Sequence, residues 1–319
     1  MGIGILFLTG GILLLWQGAG LLVRNSSRLA ASFGIPKIII GLTLVAFGTS
    51  TPELVVSLLS AVKGSSDLSV GNVVGSNIVN ILGILGVAAL FRAIPVNRRI
   101  LRIDAPVMLF FTVMAVCLGW DGFFRRWEGA ALLLCFGGYM ALLIRQGRAE
   151  EDEALLETPI SAAERSPGRR LRYAGLCVAG LAGLYLGGEG TIRGAVSIGE
   201  SLGIPEAIIG LTFVAGGTSL PELFTSVVAV LRKEADISLG NIIGSNIFNI
   251  GLVLSGVAVI RPLSIGFHLR TFDFWALLAT TGLACLILYW RKAVELSAGV
   301  CMLAFYALYI GWMSVRIPR

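Results

Sequence analysis

Histidine is nearly absent: the 319 residues contain one, His268. It lies in a predicted outer loop, which excludes a metal site built on histidines and a chain of histidine proton carriers, and leaves an intramembrane serine hydrolase without a histidine partner for its nucleophile. Cysteine is sparse as well. Cys117, Cys135, Cys177, Cys285 and Cys301 form no Cys-x-x-Cys pair and fall in apolar segments, where a thiol packs as a small hydrophobe. Charge is scarce, at 14% of residues, whereas hydrophobic residues make up 56%. Apolar runs exceed the roughly 18 residues that mark a membrane-spanning helix. The chain therefore reads as an all-α integral membrane protein.

About ten spans are expected, near residues 3–23, 35–62, 69–91, 105–120, 127–144, 173–192, 204–231, 238–260, 272–290 and 294–314. The first is too long for a signal-peptide core and has no preceding positive residue, so it reads as a retained helix. The net charge of +6 does not point to nucleic acid, because the basic residues are spread over short loops between spans. With the N-terminus outside, 17 of the 25 Lys and Arg residues fall on the inner side. The positive-inside rule then puts both termini outside, with the chain in a cell (inner) membrane and its central linker in the cytoplasm.

The chain contains one motif pair twice. SFGIPKIIIGLTLVAFGTSTPEL at 32–54 matches SLGIPEAIIGLTFVAGGTSLPEL at 201–223, and DLSVGNVVGSNIVNI at 67–81 matches DISLGNIIGSNIFNI at 236–250. The offset is a constant 169, and 28 of the 50 positions from 32 to 81 are identical to their partners. This predicts a first five-helix repeat over 1–145, a polar linker over 146–171 and a second five-helix repeat over 172–319. Because five is odd, the second repeat is inverted, and the two motif copies meet near the midplane. The linker carries an acidic cluster from Glu150 to Glu157 but lacks the ligand alternation and turn glycine of an EF-hand.

Span 2 is interrupted by Gly48, Thr49, Ser50, Thr51 and Pro52. A proline there breaks the helix and is expected to free carbonyls around Ala46 to Gly48, at the negative end of the first half-helix. Glu53 follows at the positive start of the second half. No Lys or Arg lies in the central parts of spans 2, 3, 7 or 8, so the partner of this acid is a mobile cation or a proton. Thr49 and Ser50 flank the carboxylate at helical spacing, and Asn72, Ser76 and Asn80 form a polar stripe on span 3. The second repeat adds Thr218, Ser219, Glu222, Asn241, Ser245 and Asn249. Hard oxygens with two carboxylates suit one Ca2+ or two Na+, not thiol-seeking metals.

Other features have packing readings. Gly71 with Gly75 and Gly240 with Gly244 are small-residue seams, and Ser57 and Ser226 are open to simple back-bonding within their own helices. Asp67, Asp236, Asp104 and Asp273 read as first-turn acids or helix caps outside the site. The tryptophans mostly fall near span ends, as in an interfacial belt.

At GTSTPEL and GGTSLPEL, followed by GNVVGSN and GNIIGSN, the chain resembles the cation/Ca2+ exchanger superfamily, close to prokaryotic sodium/calcium exchangers. The resemblance implies a secondary active transporter rather than an enzyme, with no cofactor, a monomer sufficient for activity, and spans 1 and 6 sliding across a core of spans 2, 3, 7 and 8. By motif position, Glu53 and Glu222 would bind Ca2+ with Thr49 and Thr218. The same acids would share Na+ sites with Ser50, Ser219, Ser76, Ser245 and the carbonyls of Ala46 and Ala215, and Asn80 would line the middle subsite. Some relatives carry aspartate where this chain has Asn249, which argues against K+ co-transport here. Electrogenic Na+/Ca2+ antiport is the leading expectation. Ca2+/H+ antiport, a K+-dependent exchanger and a cation channel are the alternatives.

Overall fold

The computed structural model describes residues 2–157, 166–202 and 215–316. Part of the expected seventh span and part of the linker lie outside them. The helices are α1 (Gly2–Phe33), α2 (Lys37–Thr49), α3 (Thr51–Val62), α4 (Ser66–Phe91), α5 (Ile100–Asp121) and α6 (Arg126–Glu157) in the first half. The second half has α7 (Pro167–Ser201), α8 (Leu220–Leu231), α9 (Ala235–Ile260), α10 (Leu269–Arg291) and α11 (Leu296–Arg316). Among the described residues, eight helices are long and apolar enough to cross a membrane, and α2 with α3, bent by 43°, makes a ninth span. Leu220–Leu231 is the repeat-related partner of α3.

Several helices run beyond the expected spans. α1 continues through Arg24 and Arg28 to Phe33, where Gly34 turns at φ 68° ahead of Pro36. α6 likewise runs to Glu157, so the first part of the linker is helical. Apolar spacing marks where a helix meets lipid, whereas the helix itself stops only at a residue that breaks it. At the start of α7, Ser166 sits at the N-cap and Pro167 at the first helical position, where a missing N–H costs nothing.

The most enclosed spans are α4 and α9, with 78% and 83% of their apolar stretches buried, against 33% for α1 and 11% for α11. These two helices form the centre of the bundle. α1 and α7 run antiparallel in backbone contact along its flank, with Gly11 and Gly18 facing Gly187 and Gly180. A Cβ on Gly18 would lie 2.8 Å from the Gly180 carbonyl oxygen, and one on Gly187 would lie 2.7 Å from the Leu15 nitrogen. Only glycine permits this approach.

Two short strand pairs join the halves at opposite ends of the bundle. β1 (Ile94–Pro95) pairs antiparallel with β4 (Ala293–Val294), and β2 (Phe123–Phe124) pairs with β3 (Leu263–Ser264). β1 and β3 are repeat equivalents, as are β2 and β4. Each loop therefore meets the non-equivalent loop of the other half, the pairing that an inverted repeat requires.

The four aspartates divide into two kinds. Asp67 and Asp236 lie in first turns, and each also reaches the other half: Gly266 N donates to Asp67 Oδ1 at 2.7 Å and Asn97 Nδ2 to Asp236 Oδ1 at 3.2 Å. Asp104 and Asp273 are not first-turn acids. Their helices begin four residues earlier, in π-helical turns at Ile100–Asp104 and Leu269–Asp273, and each carboxylate instead accepts from a tyrosine hydroxyl. Tyr139 donates to Asp104 at 3.0 Å and Tyr309 to Asp273 at 2.8 Å.

Candidate functional site

The break in span 2 falls at Ser50, whose φ of −82° and ψ of 6° separate α2 from α3, and Pro52 sits in the first turn of α3. The Ala46 carbonyl is not left free there. It accepts from Ser50 N at 3.0 Å and from Thr49 Oγ1 at 3.4 Å. Pro52 lacks an N–H and so cannot serve Gly48, the residue four positions earlier, but the helix regains its bonds from Leu54 N to Ser50 O onward, at 3.2 Å. In the other half, Ala215–Gly217 forms a short helical turn, and Ser219 at φ −89°, ψ 6° repeats the break before α8.

The two breaks face each other. Ser50 Oγ donates to Glu222 Oε1 at 3.1 Å, and Ser219 Oγ donates to Glu53 Oε1 at 3.1 Å. Each serine thus serves the acid of the other repeat. Glu53 and Glu222 are 1% and 0% exposed, so both carboxylates stand wholly inside the protein. Their second oxygens, Glu53 Oε2 and Glu222 Oε2, have no hydrogen-bond donor among the described residues. Buried acceptors left in this way are costly unless a cation or a proton meets them.

A second layer holds the acids in place. Asn72 Nδ2 donates to the Glu53 carbonyl at 3.2 Å and to Ser57 Oγ at 2.9 Å. Asn241 Nδ2 repeats this with the Glu222 carbonyl at 3.4 Å and Ser226 Oγ at 3.0 Å. These asparagines point donors at the backbone beneath the acids, so their place is support rather than cage. Ser57 and Ser226 belong to the same support, not to simple back-bonds. Asn241 Oδ1 also accepts from Thr49 Oγ1 at 3.0 Å, which ties α2 to α9.

That tie depends on glycine. A Cβ on Gly240 would lie 2.8 Å from the Ile38 carbonyl oxygen, and one on Gly244 would lie 2.7 Å from Ala46 Cβ and 2.9 Å from Leu42 Cα. The GNIIGSN glycines are a packing seam that lets the broken helix of one repeat rest on the central helix of the other.

In α4 and α9 the helix widens into π-helical turns at Val79–Leu85 and Asn249–Leu254, beside the site. Asn80 and Asn249 sit at these turns and are buried. Neither Asn80 Nδ2 nor Asn80 Oδ1 has a partner among the described residues, and Asn249 Oδ1 and Ser245 Oγ have none either. Asn249 Nδ2 donates to Asn77 Oδ1 at 3.0 Å, and Asn77 Nδ2 donates to the Asn246 carbonyl at 3.2 Å. Sequence reasoning passed over Asn77 and Asn246, although their recurrence in both GSN motifs was visible.

Ser50, Glu53, Ser219 and Glu222 thus meet at the two facing breaks, with Thr49 and Thr218 beside them in sequence; Ser76, Asn80, Ser245 and Asn249 are buried on α4 and α9, whose π-helical turns pack on α8 and α3. Ala46 is buried on α2 three residues before Thr49, and Ala215 lies in the turn before α8. Five unpartnered oxygens belong to these residues: Glu53 Oε2, Glu222 Oε2, Asn80 Oδ1, Ser245 Oγ and Asn249 Oδ1. Such a set of hard donors fits a cation that takes many oxygens at flexible distances. Among the described residues no group of three or more His, Cys, Asp or Glu side chains forms a metal cluster, so the remaining donors are neutral.

The model of the family described as sodium/calcium exchanger protein matches residues 3–145 and 172–315. The chain belongs to this family. Among relatives of the exchanger, the inner membrane protein YrbG of Escherichia coli is 36% identical over 308 residues, covering 96% of this chain and 94% of YrbG. Sodium/calcium exchanger MaX1 of Methanosarcina acetivorans is 29% identical, with 97% of each chain covered. The structure of the sodium-calcium exchanger NCX_Mj soaked with 2.5 mM Na+ and 0.1 mM Ca2+ superposes with a TM-score of 0.85 at 31% identity, covering 98% of this chain and 99% of that one. The protein is thus a multi-pass membrane transporter, a cation/Ca2+ exchanger and not an enzyme.

Proposed function

We propose that the exchanger is an electrogenic Na+/Ca2+ antiporter that expels Ca2+ by alternating access. The observation that carries this reading is the pair of reciprocal bonds, Ser50 to Glu222 and Ser219 to Glu53, around two buried acids with unpartnered oxygens. Ca2+ takes both carboxylates, with Thr49 and Thr218 completing its shell. Na+ uses the same acids with Ser50, Ser76, Ser219, Ser245 and the carbonyls of Ala46 and Ala215, and Asn80 and Asn249 line the middle of the site. Two acids balance the charge of one Ca2+, and a further Na+ needs only neutral oxygens. Exchange of three Na+ for one Ca2+ would move one net charge, worth about 2.3 kcal/mol per 100 mV.

Sodium is favoured over protons because a proton exchanger needs only the acids. Unpartnered amide and hydroxyl oxygens such as Asn80 Oδ1 and Ser245 Oγ take up no additional proton at neutral pH but can ligate a metal ion.

The working units are the repeats 1–145 and 172–319, with residues 146–171 as a cytoplasmic connector and both termini outside. Support for this orientation comes from the excess of Lys and Arg in the inner loops and from two turns in the left-handed region. Those turns hold Gly64 (φ 89°) and Gly122 (φ 96°) in the first half but Lys233 (φ 63°) and Lys292 (φ 54°) at the equivalent places of the second. Lysine pays strain of about 1 kcal/mol there, which is reasonable where the turn faces inward and a positive charge anchors topology.

The test is 45Ca2+ uptake into proteoliposomes, with Na+, pH and K+ gradients varied separately. A Na+ gradient alone should drive uptake, with no need of K+. Uptake driven by pH and indifferent to Na+ overturns the reading.

A further inference from the structure

Outside the cation site, a charged cleft of about 280 Å³ is lined by Val23, Arg24, Ser27, Arg28, Arg232 and Glu234. It lies where the inner end of α1 meets the end of α8. Arg232 caps α8 and lays its guanidinium across Gly20 of α1, where a Cβ would lie 3.0 Å from Nη2. Arg28 sits 5.9 Å from the ring centroid of Tyr173 on α7. The one acid in the cleft is already committed: Glu234 accepts from Lys37 at 2.8 Å and from Ser27 at 2.9 Å. The guanidinium groups of Arg24 and Arg232, by contrast, form no ion pair or hydrogen bond among the described residues, so three guanidinium groups line a cleft whose one carboxylate is already bonded to Lys37 and Ser27.

The inverted repeat supplies an internal control. At the equivalent place on the opposite face, Arg24 becomes Arg193, which is paired with Glu189 at 2.7 Å; Arg28 becomes Ser197 and Arg232 becomes Lys63. The same fold is built there without the cluster, so packing does not require it. Depth points to the occupant. From Gly2 to Arg24 the helix rises about 33 Å at 1.5 Å per residue, the thickness of a bilayer's apolar core, which sets the arginines at headgroup level.

We propose that this cleft binds the phosphate of an anionic lipid headgroup, with Arg24, Arg28 and Arg232 as its ligands. Guanidinium forks match phosphate oxygens, and on the inner-facing orientation proposed above the cleft opens to the leaflet richest in anionic lipid. A lipid held here joins α1 to the end of α8, and so couples the flanking α1–α7 pair to the core that carries Glu222.

The test reads binding rather than transport, so its outcome does not depend on which cations are exchanged or on orientation. Thermal unfolding of the purified protein in neutral detergent is followed with dioctanoyl phosphatidic acid, dioctanoyl phosphatidylcholine or inorganic phosphate. Phosphatidic acid should raise the midpoint in the wild type and in R193Q/K63Q, and R24Q/R28Q/R232Q should need about tenfold more lipid or more for the same shift. If the triple variant does not fold, R24Q and R28Q singly should show the same weakening. An equal shift in R24Q/R28Q/R232Q, or in both R24Q and R28Q, or an equal shift with phosphatidylcholine, overturns the site. An equal shift with inorganic phosphate at the same concentration overturns the lipid as its occupant.

Discussion

Ser50 of the first repeat donates to Glu222 of the second at 3.1 Å, across a chain separation of 172 residues. Its symmetry mate, Ser219 to Glu53, has the same length. The two bonds make the site a joint product of both halves. S50A and S219A should therefore impair exchange to a similar degree, each by roughly tenfold or more, the range for loss of a hydrogen bond to a charged group. Initial rates of Na+-driven 45Ca2+ uptake measure this. A severe defect in one variant beside normal exchange in the other would contradict the symmetric arrangement.

Asn80 and Asn249 occupy equivalent positions but differ in what they touch. Both side-chain atoms of Asn80 are unpartnered, whereas Asn249 donates to Asn77. N80A should leave thermal stability unchanged or slightly raised while cutting exchange by about tenfold or more. N249A should lower stability as well, by roughly 1–3 kcal/mol, because it leaves Asn77 Oδ1 buried without a donor. Unfolding midpoints and uptake rates on the same preparations separate the two. Equal loss of stability in both variants would mean that Asn80 has a structural partner after all.

Gly244 carries α2 on α9. G244V should force the two helices apart, at a cost of about 1–3 kcal/mol, and break the bond from Thr49 to Asn241 with loss of transport. Normal unfolding and normal uptake in this variant would show that the seam tolerates a side chain.

The twofold motif made the two-repeat plan, the enclosed site and the break before Glu53 legible in the sequence. Three things were not. Helix ends were underestimated, because hydropathy fades at Arg24 while the helix stops only at Gly34. The part played by Asn72 and Asn241 was misplaced, since spacing sets the face a side chain lies on but not whether its amide points to an ion or to a neighbouring carbonyl. The π-helical turns at Asn80 and Asn249 carry no local signature, because they arise from how α4 and α9 pack on the rest of the bundle.

Lys233 and Lys292 hold left-handed backbone where the first repeat uses glycine. K233G and K292G should each gain roughly 0.5–1 kcal/mol of stability by removing this strain, partly offset by a more flexible unfolded chain. Unfolding midpoints check this. A loss of stability in both would show that the lysine side chains contribute more than their backbone costs.

The central claim is that Glu53 and Glu222 together hold the transported cation. Na+-driven 45Ca2+ uptake by E53Q and E222Q in proteoliposomes tests it most directly, alongside unfolding midpoints of the same preparations. Both variants should fold with wild-type stability or better, since a buried carboxylate becomes a neutral amide, and both should lose Ca2+ exchange. Normal exchange by both would contradict the account.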